Sequence, residues 1–149
     1  MPTLPTEHPT LLPYIIAADA PAAIDFYVRA FGAKEAFRLA DKDGRIGHAE
    51  LDLGTGRLMI ASPYPEAGAY APNPDHPSAI VLTLYVLDVD QVVATAESLG
   101  ATVIAPPEDQ FYGDRVARLR DPAGHVWNLH QLNETLTPEE MERRFQELC

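Results

Sequence analysis

One pattern is written twice along this chain, over residues 13–62 and again over 81–130. Gly32 and Gly100 lie 68 residues apart, and so do Gly56 and Gly124. The apolar triple Ile24, Val28, Phe31 recurs at the same distance as Val92, Ala96, Leu99. Two copies of a unit this small cannot each bury an apolar face alone, so they are expected to pack together. The seam between such copies is the expected place for a ligand cleft.

The total of 149 residues suits one compact domain, and 46% hydrophobic residues is ordinary for a globular chain. Against nucleic acid stands the formal charge of −11, with only 11 Lys and Arg that never cluster. The single cysteine, Cys149, excludes an intrachain disulfide, and no Cys/His spacing of a zinc site occurs. Met1-Pro2-Thr3-Leu4-Pro5 has neither the basic start nor the apolar core of a secretory signal. No apolar run approaches the roughly 20 residues that span a bilayer. A cytoplasmic setting with no membrane partner is therefore expected.

The apolar run Leu11–Ala18 predicts a strand, and Asp19 with Pro21 predicts the start of a helix that Gly32 ends. Strands are predicted over Glu35–Leu39, Ile46–Leu53 and Arg57–Ser62, parted by Asp43-Gly44 and Gly54-Thr55-Gly56. Residues 63–77 hold five prolines and read as a linker, folded over an opening. The second unit repeats the order: strand Ile80–Leu87, helix Asp90–Leu99, then strands Thr102–Ala105, Arg115–Arg120 and His125–Leu132. Thr137-Pro138-Glu139-Glu140 is a capping box that opens a last helix, to Leu148, with a stripe of Met141, Phe145 and Leu148. An α+β fold of two tandem βαβββ modules results, forming a curved mixed sheet around a cleft.

Strand alternation sorts the chemistry. If Leu51, Leu53, Met59, Trp127 and Leu129 face the helices, then His48, Glu50, Asp52, Asn128 and His130 face the open side. The opposite phase would bury charged Glu50 against a helix. His48 beside Glu50 sets a base next to a carboxylate, the pattern of proton transfer. Arg118 and Arg120 stand one repeat beyond Glu50 and Asp52, which suggests ion pairs between the modules or a polar ligand floor. Gln110, Tyr112 and Arg115 flank Gly113 on a loop able to close over a carbonyl or anion, or simply to turn.

The string Ala23-Ile24-Asp25-Phe26-Tyr27, the helix end Phe31-Gly32-Ala33 and the turn Asp121-Pro122-Ala123-Gly124-His125 resemble the vicinal-oxygen-chelate superfamily. That group includes glyoxalase I, the bleomycin-resistance proteins and the extradiol dioxygenases. Residues 107–115 further resemble a PhnB-like, glyoxalase-like subgroup. The resemblance implies a homodimer. It also implies a metal held by four positions, which fall here on Pro13, Ile60, Val81 and Asn128. Three of those side chains have no lone pair, so no metal and no cofactor is expected. Two functions remain open on this reading. One is a small-molecule binder like the bleomycin-resistance branch, using Asn128, Arg118, Tyr112, Arg115, Gln110 and His130. The other is a lyase or isomerase in which Glu50 and His48 move a proton, or themselves hold a displaced metal.

Overall fold

The structure is a computed structural model that describes residues 1–76 and 78–149; Pro77, the last residue of the expected linker, lies outside them. The chain divides into two compact units, Met1–Pro77 with Pro122–Gly124, and Ser78–Asp121 with His125–Cys149.

The first unit runs β1 (Tyr14–Ile16), α1 (Ala20–Phe31), β2 (Lys34–Ala40), β3 (Ile46–Leu53) and β4 (Gly56–Ala61). The second runs β5 (Leu82–Tyr85), α2 (Val89–Ser98), β6 (Thr102–Asp109), β7 (Asp114–Arg120) and β8 (Val126–Leu132), followed by α3 (Pro138–Leu148). Each unit holds one four-stranded mixed sheet, in the orders β1-β4-β3-β2 and β5-β8-β7-β6. The α+β class and the twofold βαβββ order are as the sequence predicts.

Capping explains where the helices begin. Asp19 accepts the Ala22 amide, Asp88 accepts the Gln91 amide and Thr137 accepts the Glu140 amide, each satisfying an orphan donor of the first turn. At the end of α1, Gly32 takes the left-handed conformation (φ 71°) and donates its amide to the Tyr27 carbonyl. The face of α1 that meets the sheet is Ala23, Ile24, Phe26, Tyr27 and Ala30, while Val28 is exposed. Val28 thus leaves the expected core triple, because Tyr27 occupies the stripe one residue earlier.

The spacing of the repeat is not constant. The helix caps Asp19 and Asp88 are 69 apart, since 88 − 19 = 69. The buried strand pairs Ala49, Leu51 and Ala117, Leu119 are 68 apart, since 117 − 49 = 68. On the last strands, Leu58 and Ile60 match Trp127 and Leu129 at 69 again. The second step arises in the hairpins: Asp52 pairs Arg57 around four residues, whereas its counterpart Arg120 pairs Val126 around five.

One strand and the linker differ from expectation. The strand predicted over Thr102–Ala105 continues to Asp109 through Pro106 and Pro107. It is an edge strand, so the missing amides cost no ladder bond, and its register shifts between Ala105 and Glu108. Residues 64–69 are more than a spacer. Tyr64 and Ala69 exchange backbone hydrogen bonds of 2.9 and 3.0 Å around a 3₁₀ turn at Pro65–Ala67. No helix among the described residues is long and apolar enough to cross a membrane.

Candidate functional site

The open face of the first sheet is set by its register. Glu50 lies opposite Met59, Asp52 opposite Arg57, and Tyr14 opposite Met59 on the other side. Side chains paired across strands share a face, so Tyr14, His48, Glu50, Asp52, Arg57 and Met59 stand together. Ala49, Leu51, Leu58 and Ile60 are buried on the helix side. Met59 is therefore corrected: it lies on the open face with Glu50, not against the helix, because the Gly54-Thr55 turn puts β4 one residue out of the assumed phase.

Glu50 anchors this face. It is only 7% exposed; His48 Nε2 meets its Oε2 at 2.8 Å and Arg57 donates to its Oε1 at 3.0 Å. Arg57 also donates to Asp52 at 2.8 Å. The His48 hydrogen bond outweighs burial and, with Arg57, holds the Glu50 carboxyl below its ordinary range. A carboxylate so engaged is a weak base. Within the first unit both carboxylates are taken up by Arg57, a residue the sequence reading missed. The signal was available, since a two-residue turn puts position 57 opposite 52.

On its other side, His48 Nδ1 lies 2.9 Å from the Tyr14 hydroxyl, and the Phe37 ring stands 5.8 Å from the imidazole. Burial, then the Glu50 charge and Tyr64, raise the Tyr14 phenol above its usual value. Tyr14 also lines a pocket of about 560 Å³ with Ile16, Ala61, Tyr64, Ala67 and Ala69. That volume falls within the range of small-molecule sites. The 64–69 turn roofs it and is held from outside: the Arg45 guanidinium lies 3.8 Å over the Tyr64 ring and 3.7 Å from Glu66.

The second unit gathers His130 and Tyr112, but around Asp114. Buried Asp114 accepts from the Tyr85 hydroxyl, and His130 Nδ1 meets the same oxygen, both at 2.8 Å. The His130 ring lies 5.2 Å from Tyr85 and 6.1 Å from Tyr112. The hydrogen bond to Asp114 raises the Tyr85 phenol, and burial raises that of Tyr112. Arg118 donates to the Asn128 carbonyl oxygen at 2.8 Å, pairing two expected site residues with each other.

Arg115 is turned elsewhere. It forks onto both oxygens of Asp90 at 2.8 and 3.0 Å and reaches Asp109 at 3.1 Å, so it ties β7 to the start of α2. Asp90 raises its already high pKa further. The turn at Gln110–Gly113 is clasped, because the Gly113 carbonyl accepts the amides of both Asn133 and Glu134. Gln110 Nε2 donates to the Glu108 carbonyl at 3.4 Å. A closing lid does not fit a turn fixed in this way. Trp127 is core as expected, its indole N–H donating to buried Asp121.

None of the four positions that the resemblance implies for a metal carries a charged ligand. Ile60 is buried on the helix side, and the side chains that stand in the strand-interior row of the open faces are Tyr14, Met59, Thr83 and Asn128. All four are neutral. Among the described residues no three His, Cys, Asp or Glu side chains gather as a metal cluster.

Paired βαβββ units with a site on the open sheet face define a class, and sequence comparison agrees. The chain belongs to the Glyoxalase/Bleomycin resistance protein/Dioxygenase superfamily, whose profile matches residues 8–129. An uncharacterized protein of Mycobacterium bovis is 38% identical over 127 residues, covering 83% of this chain and 84% of its own. The crystal structure of TioX from Micromonospora sp. ML1 is similar at a TM-score of 0.64 and 27% identity, over 82% of this chain and 97% of that one. A lactoylglutathione lyase from Agrobacterium tumefaciens shares the fold at a TM-score of 0.58 and 23% identity, over 81% and 91% of the two chains.

Proposed function

We propose that this protein binds a small, largely apolar or aromatic organic molecule without the help of a metal. The observation that carries the reading is the pocket of about 560 Å³ in the first unit, walled by Tyr14, Tyr64, Ile16 and three alanines. Apolar walls with a few fixed polar groups are the usual make-up of a small-molecule site. The enzyme reading in which Glu50 abstracts a proton is less well supported, since His48 and Arg57 occupy its two oxygens.

The test is thermal unfolding against a panel of aromatic compounds. A ligand at about a hundred times its Kd adds about 2.7 kcal/mol of stability. In a chain of this size that raises Tm by about 5–10 °C. Ala69→Trp, which fills the pocket from its roof, should abolish the shift. No shift with any compound, or an undiminished shift in Ala69→Trp, refutes the reading.

A further inference from the structure

The open face of the second sheet carries two arginines that no carboxylate holds. Arg118 and Arg120 are both exposed and lie two residues apart on β7, so they share a face. Among the described residues every other arginine is ion-paired to a carboxylate, in a chain whose formal charge is −11. With acidic groups so plentiful, two neighbouring guanidinium groups left without one point to an anion from outside the chain.

Their neighbours decide which hydrogens this face offers. An arginine only donates, so the Asn128 atom that Arg118 Nε meets at 2.8 Å is the amide oxygen, and the Asn128 NH2 is left over. The Nη groups of Arg118 make no hydrogen bond among the described residues. This row of the sheet therefore presents donors. His130 stands in the next row, two residues along β8 and about 7 Å away at the rise of a strand. The carboxylate of buried Asp114 only accepts, so His130 Nδ1, 2.8 Å from its Oδ2, carries the hydrogen. In the neutral ring Nε2 is then an acceptor. Among the described residues no buried polar side-chain atom lacks a hydrogen-bond partner. Neither His130 Nε2 nor the Asn128 NH2 has one, so both reach solvent. Beside them the Tyr85 ring, in register with His130 and 59% exposed, offers apolar surface 5.2 Å from the imidazole.

We propose that this face binds a small aromatic acid, its carboxylate on Arg118 and Asn128 and its hydroxyl, about 7 Å further on, donating to His130 Nε2. Arg120 adds charge at the carboxylate end. Asp114 is a positioning residue, because it fixes the tautomer of His130. A ring with the two groups at opposite ends matches the spacing of the rows. The site is built from other residues than the pocket of the first unit and does not rest on that reading.

The probe is 4-hydroxybenzoate, compared with 4-methoxybenzoate, which lacks the donor, and with phenol, which lacks the carboxylate. Calorimetric titrations are run at about pH 8, above the ordinary histidine range. 4-Hydroxybenzoate should bind about tenfold tighter than 4-methoxybenzoate, the worth of about one net hydrogen bond. Phenol should bind at least about tenfold more weakly than 4-hydroxybenzoate, since it loses a charge-assisted pair. Arg118→Gln, at an exposed position, should weaken both acids by about tenfold and keep the preference for the hydroxyl. His130→Phe should bind the two acids alike; if it does not fold, Arg118→Gln decides. Equal affinities in the wild type, undiminished binding in Arg118→Gln, or a preference that survives His130→Phe overturns the proposal. So does a failure of 4-hydroxybenzoate to bind at millimolar concentration. Each of these outcomes leaves the pocket of the first unit standing, which Ala69→Trp tests.

Discussion

Asp121 opens the turn by which this family is recognised, and Asp121→Ala measures what that residue does. Its carboxylate accepts the Trp127 indole N–H at 2.8 Å and the His125 amide at 3.0 Å. Asp121 and Trp127 are each only 3% exposed, so the indole N–H cannot recover a partner from water. Hydrogen bonds to charged groups contribute about 1.5–3 kcal/mol each. Counting the indole in full and the half-buried His125 amide at a fraction gives about 3 kcal/mol of lost stability. At about 2–4 °C per kcal/mol for a chain of this length, Tm should fall by about 6–12 °C. Asp121→Asn keeps one carbonyl oxygen for the indole and should lose about half as much. Urea unfolding followed by tryptophan fluorescence is the assay, because Trp127 is the single tryptophan and reports on the second unit. If Asp121→Ala unfolds within about 0.5 kcal/mol of the wild type, the reasoning from buried hydrogen bonds is wrong at this site.

Other expectations concern pH, the clasped turn and metals. Glu50 lies below its ordinary 4.5 through His48 and Arg57, so it stabilises the fold fully above that value and less as pH falls through its lower folded pKa. Glu50→Gln should thus be less stable at neutral pH and show a shallower loss in acid; superimposable acid limbs by circular dichroism would argue against the network. Gly113 holds φ +96°, and a Cβ there would collide with the Glu134 carbonyl. Gly113→Ala should cost about 2 kcal/mol or more and speed proteolysis beyond Asn133, and an unchanged cleavage rate would count against the clasp. Zn²⁺, Ni²⁺ or a chelator should leave Tm within about 1 °C, because tight metal binding would stabilise the fold by kcal/mol.

Much of the fold was legible because its signals are local. Asp19, Gly32 and the Thr137–Glu140 box act within one helical turn, and β3 was read to its ends from alternation across Ile46–Leu53. What failed was counting at a distance. A constant spacing put Met59 toward the helix, whereas the hairpin length shifts it by one residue, and Val28 yielded its place on the helical stripe to Tyr27. At the site, the His48–Glu50 pairing followed from two residues of one strand. Arg57 needed the register of a second strand, and Arg115 with Asp90 needed the packing of a helix on a sheet. Tyr14 was overlooked because its contact with His48 needs the register of β1 on β4 and of β4 on β3.

The changing step between the two halves has a practical consequence for anyone transferring a residue's role from one half to the other. A strand shows alternate side chains to opposite sides, so a miscount of one turns a cavity-lining residue into a core residue. Matched at 68, Asn128 answers to Ile60; matched at the hairpin, it answers to Met59. Correspondences in duplicated sheets of this kind hold only when counted outward from the nearest turn.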